Sequence, residues 1–255
     1  MKRHRGVFNP ENKAPYELSR SRIENFVRCP ACFHMQQVQG VKFPSIPGFN
    51  LNEATDILLK RDFDYFRSIQ EPHPFLLERG YGHMIPFSHP NFELWTQALH
   101  FGAENRFHTV HNKTNLKIGG GIDDIWLNTE TGLLHVVDYK STSIKTHGKE
   151  ISLDDPWKAA YKRQMDLYVW ILRRMEFDVS DEGIFLYCDG DRFSNKSFLG
   201  ETIAQMEFNV SILIHHVDTS WIEPTLFKVK DCLTSFSPAD HVDGCEIGSF
   251  LAAAK

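Results

Sequence analysis

Apolar and polar positions divide the chain into short strands and amphipathic helices, and the plainest signal is a pair of strand-like runs. Gly119-Gly120-Gly121-Ile122-Asp123-Asp124-Ile125-Trp126 is apolar and β-branched after its glycines. Leu133-Leu134-His135-Val136-Val137-Asp138-Tyr139-Lys140 is nearly unbroken in its apolar character and ends abruptly in charge. Between them, Asn128-Thr129-Glu130-Thr131-Gly132 has the composition of a hairpin turn. A turn centred between Glu130 and Thr131 sets Asp123 directly opposite Asp138. Period-two alternation then puts Lys140 on the same face as Asp138.

Helical periodicity surrounds this pair. Ser19 to Val27 opens a helix, with Ser19 as cap and Ile23, Phe26 and Val27 as its apolar stripe. A Pro/Gly-rich link from Phe43 to Gly48 precedes an amphipathic helix from Asn52 to Ile69, which carries Ile57, Leu58, Leu59, Phe63, Tyr65 and Phe66. Residues 71–90 show no period and read as an irregular loop that could serve as a lid, with His73, His83 and His89 as loop residues. A helix from Asn91 to Ala103 and a strand from Arg106 to His111 lead into the glycine run, and alternation puts His108 and His111 on opposite faces. Beyond a polar loop at 141–156, a helix runs from Trp157 to Phe177, with Ala160, Tyr161, Leu167, Tyr168, Ile171 and Leu172 as its buried stripe. Strands at Gly183–Cys188 and Met206–Ile214 and a helix from Trp221 to Leu233 complete a mixed α/β (α+β) pattern.

Two carboxylates held face to face destabilise a sheet unless positive charge lies between them. A divalent cation beside a lysine meets that need, and hard oxygen ligands point to Mg²⁺ or Mn²⁺. The competing reading is two polar strand ends with Lys140 in an ordinary surface ion pair.

Composition narrows the class. A chain of 255 residues with 42% hydrophobic content can bury one large domain with decorations. No stretch is long and apolar enough to span a membrane, and Met1-Lys2-Arg3-His4-Arg5 has no apolar signal core behind it, so a soluble cytoplasmic protein with no membrane partner is expected. The net charge of −5 argues against a surface coated for nucleic acid but permits a local basic groove. Arg20, Arg22, Arg28, Lys158, Lys162 and Arg163 could follow a phosphate strand, against the plainer reading of solvated helix faces. Five cysteines, an odd set in such a setting, argue against a disulfide framework, and Cys29-x-x-Cys32 is the one tight pair.

Three motifs in order, Gly120-Gly121-Ile122-Asp123, Asp138-Tyr139-Lys140 and Gln164-x-x-x-Tyr168, resemble those of the PD-(D/E)XK nuclease superfamily. Together with Ser19 to Phe33, which looks like the Ser-x-x-x-Phe-x-x-Cys-Pro opening of such proteins, they look like its RecB-type branch, which includes AddAB-type and CRISPR-associated exonucleases. The resemblance implies a restriction-endonuclease-like core, a central mixed sheet flanked by helices, behind an N-terminal helical region. On that basis residues 1–18 form a flexible basic arm, 19–103 the helical region, 104–236 the nuclease core, and 237–255 a tail packing near Cys29-x-x-Cys32. It further implies that Asp123 and Asp138 ligate the metal with help from the Tyr139 carbonyl, that Lys140 lies near the attacking water and scissile phosphate, and that Gln164 and Tyr168, sharing one helical face, position the lysine and the DNA.

Two departures from the family pattern matter. Members often carry a histidine ligand on the helix before the core and a glutamate on the way into it; here Asp56 or Glu104 would have to serve. Relatives commonly hold an iron–sulfur cluster, and Cys29, Cys32 and Cys245 supply three of four cysteines, Gly248 standing where the fourth would be. Cys232 or Cys188 could complete the set, though Cys188 reads as a buried small hydrophobe. A stable cluster is therefore expected to be absent or degenerate. The function expected is metal-dependent hydrolysis of DNA, single-stranded or at duplex ends, by an exonuclease of repair, recombination or defence, with the question of a helicase, repair or CRISPR partner left open. The alternatives are a catalytically weak nucleic-acid-binding subunit of the same fold, and an unrelated phosphatase or sugar-metabolising metalloenzyme, which would leave Gln164 and Tyr168 unexplained.

Overall fold

A computed structural model of the chain describes residues 3–44, 48–97 and 104–254. In chain order the first half contains β1 (Tyr16–Ser19), α1 (Arg20–Arg28), α2 (Pro30–Gln37), α3 (Asn50–Ile69), α4 (Pro74–Glu78), β2 (Met84–Pro86), α5 (Phe92–Trp95), β3 (His108–His111) and β4 (Leu116–Gly119). There follow β5 (Asp124–Asn128), β6 (Leu134–Thr142), α6 (Ala159–Arg174), β7 (Glu182–Gly190), β8 (Phe208–His216), α7 (Ile222–Thr234) and α8 (Glu246–Ala253). The strands form a three-stranded sheet, β1-β4-β3, and a five-stranded mixed sheet, β2-β5-β6-β7-β8. In the larger sheet β6 and β7 run parallel while the other neighbours are antiparallel. Helix α6 is the crossover that parallel neighbours require.

The unbroken apolar run of β6 has its reason in the packing: both of its faces are buried. Ile125, Val136 and Phe185 pack on one side with Leu167, Tyr168 and Ile171 of α6. Trp126, Val137, Tyr139, Ile184 and Leu186 pack on the other with Phe63 of α3 and Leu76 of α4. A mixed α/β architecture with sheets flanked by helices is thus what the alternation along the strands builds. No described helix is long and apolar enough to cross a membrane.

Four expectations are corrected. Residues 3–18 are not a flexible arm: His4, Phe8 and Tyr16 are buried, Arg3 pairs with Glu17, and β1 adds in parallel to β4, covering its edge. The 71–90 segment is not a lid, since β2 pairs with β5, His73 accepts a bond from Phe75 N at the start of α4, and His89 stacks on Trp95 with ring centroids 4.3 Å apart. Of the helix expected over 91–103, the described part is helical only at Phe92–Trp95; residues 98–103 lie outside the description. Finally, the run from Gly119 to Trp126 is not one strand but a crossing between sheets. A Cβ on Gly120 would lie 2.8 Å from Tyr168 Oη, and one on Gly121 would lie 2.8 Å from Thr96 O, so only glycine lets the chain pass this closely.

One buried polar network ties α3 to this crossing. The Asp124 carboxylate, 1% exposed, accepts bonds from Ile125 N (2.7 Å), Trp126 Nε1 (3.1 Å), Tyr139 Oη (2.5 Å) and the Arg67 guanidinium. Arg67 also lies 3.8 Å above the Phe92 ring. Removing one partner of such a pair strands a buried charge. Arg67→Ala should therefore lower the unfolding free energy by about 3–5 kcal/mol, read from urea titration; a loss under about 1 kcal/mol, the worth of a surface pair, would show that Asp124 finds its compensation elsewhere.

Candidate active site

The β5–β6 ladder pairs Asp124 with Val137, Ile125 with Val136, Trp126 with His135 and Leu127 with Leu134. One step further along the same register sets Asp123 beside Asp138, and Tyr139 N donates to Asp123 Oδ2 at 3.1 Å. The turn that holds this register is built by Asn128, whose Oδ1 accepts from Glu130 N (2.9 Å) and Thr131 N (3.1 Å), and by Gly132 at φ 73°. Even and odd positions part here: Asp124 points into the network with Arg67, whereas Asp123 faces the side of Asp138 and Lys140.

Asp138 is almost wholly buried. Its Oδ1 accepts from Gln164 Nε2 of α6 at 2.6 Å. Its Oδ2 is held by the Lys140 ammonium in a close ion pair. Lys140 Nζ also lies 4.7 Å from the centre of the Tyr161 ring. One helical turn beyond Gln164, the Tyr168 phenol rests against Gly120 and meets Arg20 of α1. Gln164 and Tyr168 thus come from one face of α6, as their spacing of four dictates.

Burial pushes the Asp138 carboxyl up to about 6; Lys140 opposes that shift and Asp123 adds to it. Burial pulls the Lys140 ammonium down, but Asp138 and Asp123 more than reverse this and hold it above its ordinary value. The Tyr168 phenol is pushed up to about 12 by burial. At neutral pH Lys140 is therefore a charge rather than a base, and Tyr168 a neutral hydroxyl.

Helix α3 brings a third acid and a second lysine. Lys60 Nζ bridges Asp56 Oδ2 (2.9 Å) and Asp123 Oδ1 (3.4 Å). Thr55 Oγ1 anchors the helix to Ser141 Oγ at the end of β6. Burial raises the Asp56 carboxyl above its ordinary value, and Asp123 adds to the shift. Of the two candidate third acids, Asp56 thus joins the cluster, whereas Glu104 is exposed on the approach to β3. Lys60 escaped the sequence reading; its only signal is the Asp56–Lys60 spacing of four on the helix.

The basic residues divide. Arg20 reaches Tyr168 and the field of Asp138. Arg22 turns to Tyr16. Arg163 holds Glu24 through two bonds of 2.9 and 2.8 Å, and Arg28 pairs with the same carboxylate. Lys158 is buried against Ser152 O and Asp155, which removes it from any phosphate track. Lys162 is half-buried on α6. Cys29, Cys32 and Cys245 converge with His241 into a separate cluster. The fourth place beside the three cysteines is thus held by a histidine and by neither remaining cysteine: Cys188 lies within β7, and Cys232 Sγ faces Pro30 O at 3.6 Å.

The donor set suits a hard cation. Asp56, Asp123 and Asp138 offer oxygens, gathered against Lys60, Lys140 and Arg20. These formal charges cancel, so net positive charge at this spot has to come from outside the chain.

The family model described as PD-(D/E)XK nuclease superfamily matches residues 67–223, well over half of the chain and the whole span from Arg67 through β8. No curated protein matches. One solved structure, titled "Crystal structure of SSO0001", aligns over 91% of this chain and 82% of its own at 14% identity with a TM-score of 0.33, a likeness too slight to build on.

Because only the ionised Asp138 can serve as a metal ligand, cation binding should strengthen as pH rises through about 6 and fade below it. Calorimetric titration with Mn²⁺ at about pH 5 and about pH 8 tests this, with clearly tighter binding expected at the higher value. Equal affinity at both would show that Asp138 is not among the ligands.

Proposed function

Since the chain belongs to the PD-(D/E)XK nuclease superfamily, we propose that it is an Mg²⁺- or Mn²⁺-dependent deoxyribonuclease of RecB-like type, an exonuclease acting on single-stranded DNA or duplex ends in repair, recombination or defence. The observation that carries this reading is the meeting of Asp138 with Lys140 on one oxygen and Gln164 on the other, beside Asp123 and under Tyr168. A surface ion pair needs none of those last three residues.

Asp123 and Asp138, with the Tyr139 carbonyl and Asp56 as further donors, would hold the cation, which when bound polarises a phosphate and makes a water nucleophilic near neutral pH. The chain's own groups prepare the rest. Gln164 fixes the Asp138 carboxylate through Oδ1, with Lys140 on Oδ2. Lys140, held protonated between carboxylates, presents fixed positive charge where negative charge grows on the phosphoryl oxygens. Tyr168 and Arg20 can donate hydrogen bonds to the backbone of the strand.

A second reading, a DNA-binding subunit with weak catalysis, finds support in Lys60, whose ammonium already neutralises Asp56 and Asp123. Cleavage of end-labelled linear DNA and covalently closed circles with Mg²⁺ or Mn²⁺ separates the two. The wild-type chain should degrade linear DNA and spare circles. Asp138→Ala should lose at least about a thousandfold in rate, about 4 kcal/mol of transition-state stabilisation, and Lys140→Ala about a hundredfold or more. Equal rates for all three proteins would sink the nuclease reading, and retained DNA binding without metal-dependent cleavage would select the second.

A further inference from the structure

Away from the carboxylates, two chain ends far apart in sequence meet at four side chains. Cys29 and Cys32 flank the first turn of α2, and His241 and Cys245 precede α8. Their ligand atoms all lie within 4.8 Å of one another, the one such group among the described residues. His241 Nδ1 stands 3.5 Å from Cys29 Sγ, 3.5 Å from Cys32 Sγ and 3.4 Å from Cys245 Sγ, and the Cys32 and Cys245 sulfurs are 3.4 Å apart. The three cysteines are free thiols, with Cys29 buried and the other two partly so.

From these distances we infer that Cys29, Cys32, His241 and Cys245 bind a single zinc ion that clasps the C-terminal helix onto the N-terminal helical corner. Sulfurs about 2.3 Å and a nitrogen about 2.0 Å from one tetrahedral zinc stand about 3.5–3.8 Å from each other; the four separations just stated agree with this to within a few tenths of an ångström, and the other two lie within 4.8 Å. An iron–sulfur cube sets each cysteine on a different iron, with the inorganic core between them, so its protein donors stand much further apart. Three sulfurs and one imidazole this close fit one ion and do not fit the cluster that the family resemblance implies.

The surroundings suit thiolate. Cys29 is the N-cap of α2 and Cys245 is the N-cap of α8, so the positive ends of two eight-residue helices converge on the group. Gly248 N donates to Cys245 Sγ at 3.4 Å, and the amides of Cys32 and Val242 donate to Cys29. A Cβ on Gly248 would come 2.6 Å from His241 Cβ, so the glycine in the place of a fourth cysteine leaves space for the histidine. The clasp also bears on the site described above: α1, directly before Cys29, carries Arg20 and Glu24, which reach Tyr168 and Arg163 of α6.

The full chain, purified without oxygen from cells supplied with both iron and zinc, tests the assignment. Elemental analysis should find about one zinc per chain, with no acid-labile sulfide. Exchange for Co²⁺ should give the intense visible bands of a tetrahedral thiolate site. Cys29→Ser combined with Cys245→Ser should lose the metal and expose the segment after residue 236 to protease while the rest stays folded; His241→Cys, which keeps four donors, should retain both metal and protection. Iron with labile sulfide, a chain that binds no metal, or zinc retained by the double variant would each overturn the assignment. None of these readouts depends on nuclease activity.

Discussion

The antiparallel register of β5 on β6 decides which of two adjacent aspartates stands beside Asp138 and which enters the buried network with Arg67. Because side chains alternate, a slip of one residue would turn Asp123 into the core and present Asp124 to Asp138 and Lys140. The slip is opposed twice. Asn128 and Gly132 shape the turn, and Asp124 is locked by Arg67, Trp126 and Tyr139. Tyr139 thus works from both ends: its hydroxyl holds Asp124 while its backbone N–H holds Asp123. Removing that lock would loosen the pairing on which the cluster of acids rests.

Gathering acids has a cost that the protein offsets with its own cations. Asp138 has a higher pKa in the fold than an unfolded chain would give it, so the native state binds its proton more tightly. Its contribution favours folding at acid pH and diminishes as pH rises from about 4, the unfolded value, through about 6. At neutral pH the ionised site is therefore a strained part of the fold, and Lys60 and Lys140 only partly relieve it. Anything that binds the folded acids alone returns stability by mass action. A site selected purely for stability would have kept neutral residues here.

Much of this was legible in the sequence because it follows from short-range periodicities. A two-residue period and a turn set Asp123 against Asp138, and a spacing of four put Gln164 and Tyr168 on one face of α6. What stayed hidden depends on contacts between distant segments. Lys60 joins the acids only because α3 crosses the end of β6 through Thr55 and Ser141. His241 completes the cysteine group only because α8 folds back onto α2. The glycine run looked like one strand, since nothing local reveals that Tyr168 and Thr96 press against it and turn the chain from one sheet to the other. The basic N-terminal segment looked solvated, since burial of His4 and Phe8 needs the pairing of β1 with β4.

The central claim is that this register makes Asp123 and Asp138 two ligands of one cation. Anomalous diffraction from crystals of the chain soaked in Mn²⁺ tests it most directly. A manganese peak in contact with both carboxylates, with the Lys60 ammonium displaced from Asp123, is the result predicted. A chain saturated with Mn²⁺ elsewhere, with Lys60 still bridging Asp56 and Asp123 and no peak between Asp123 and Asp138, would contradict it.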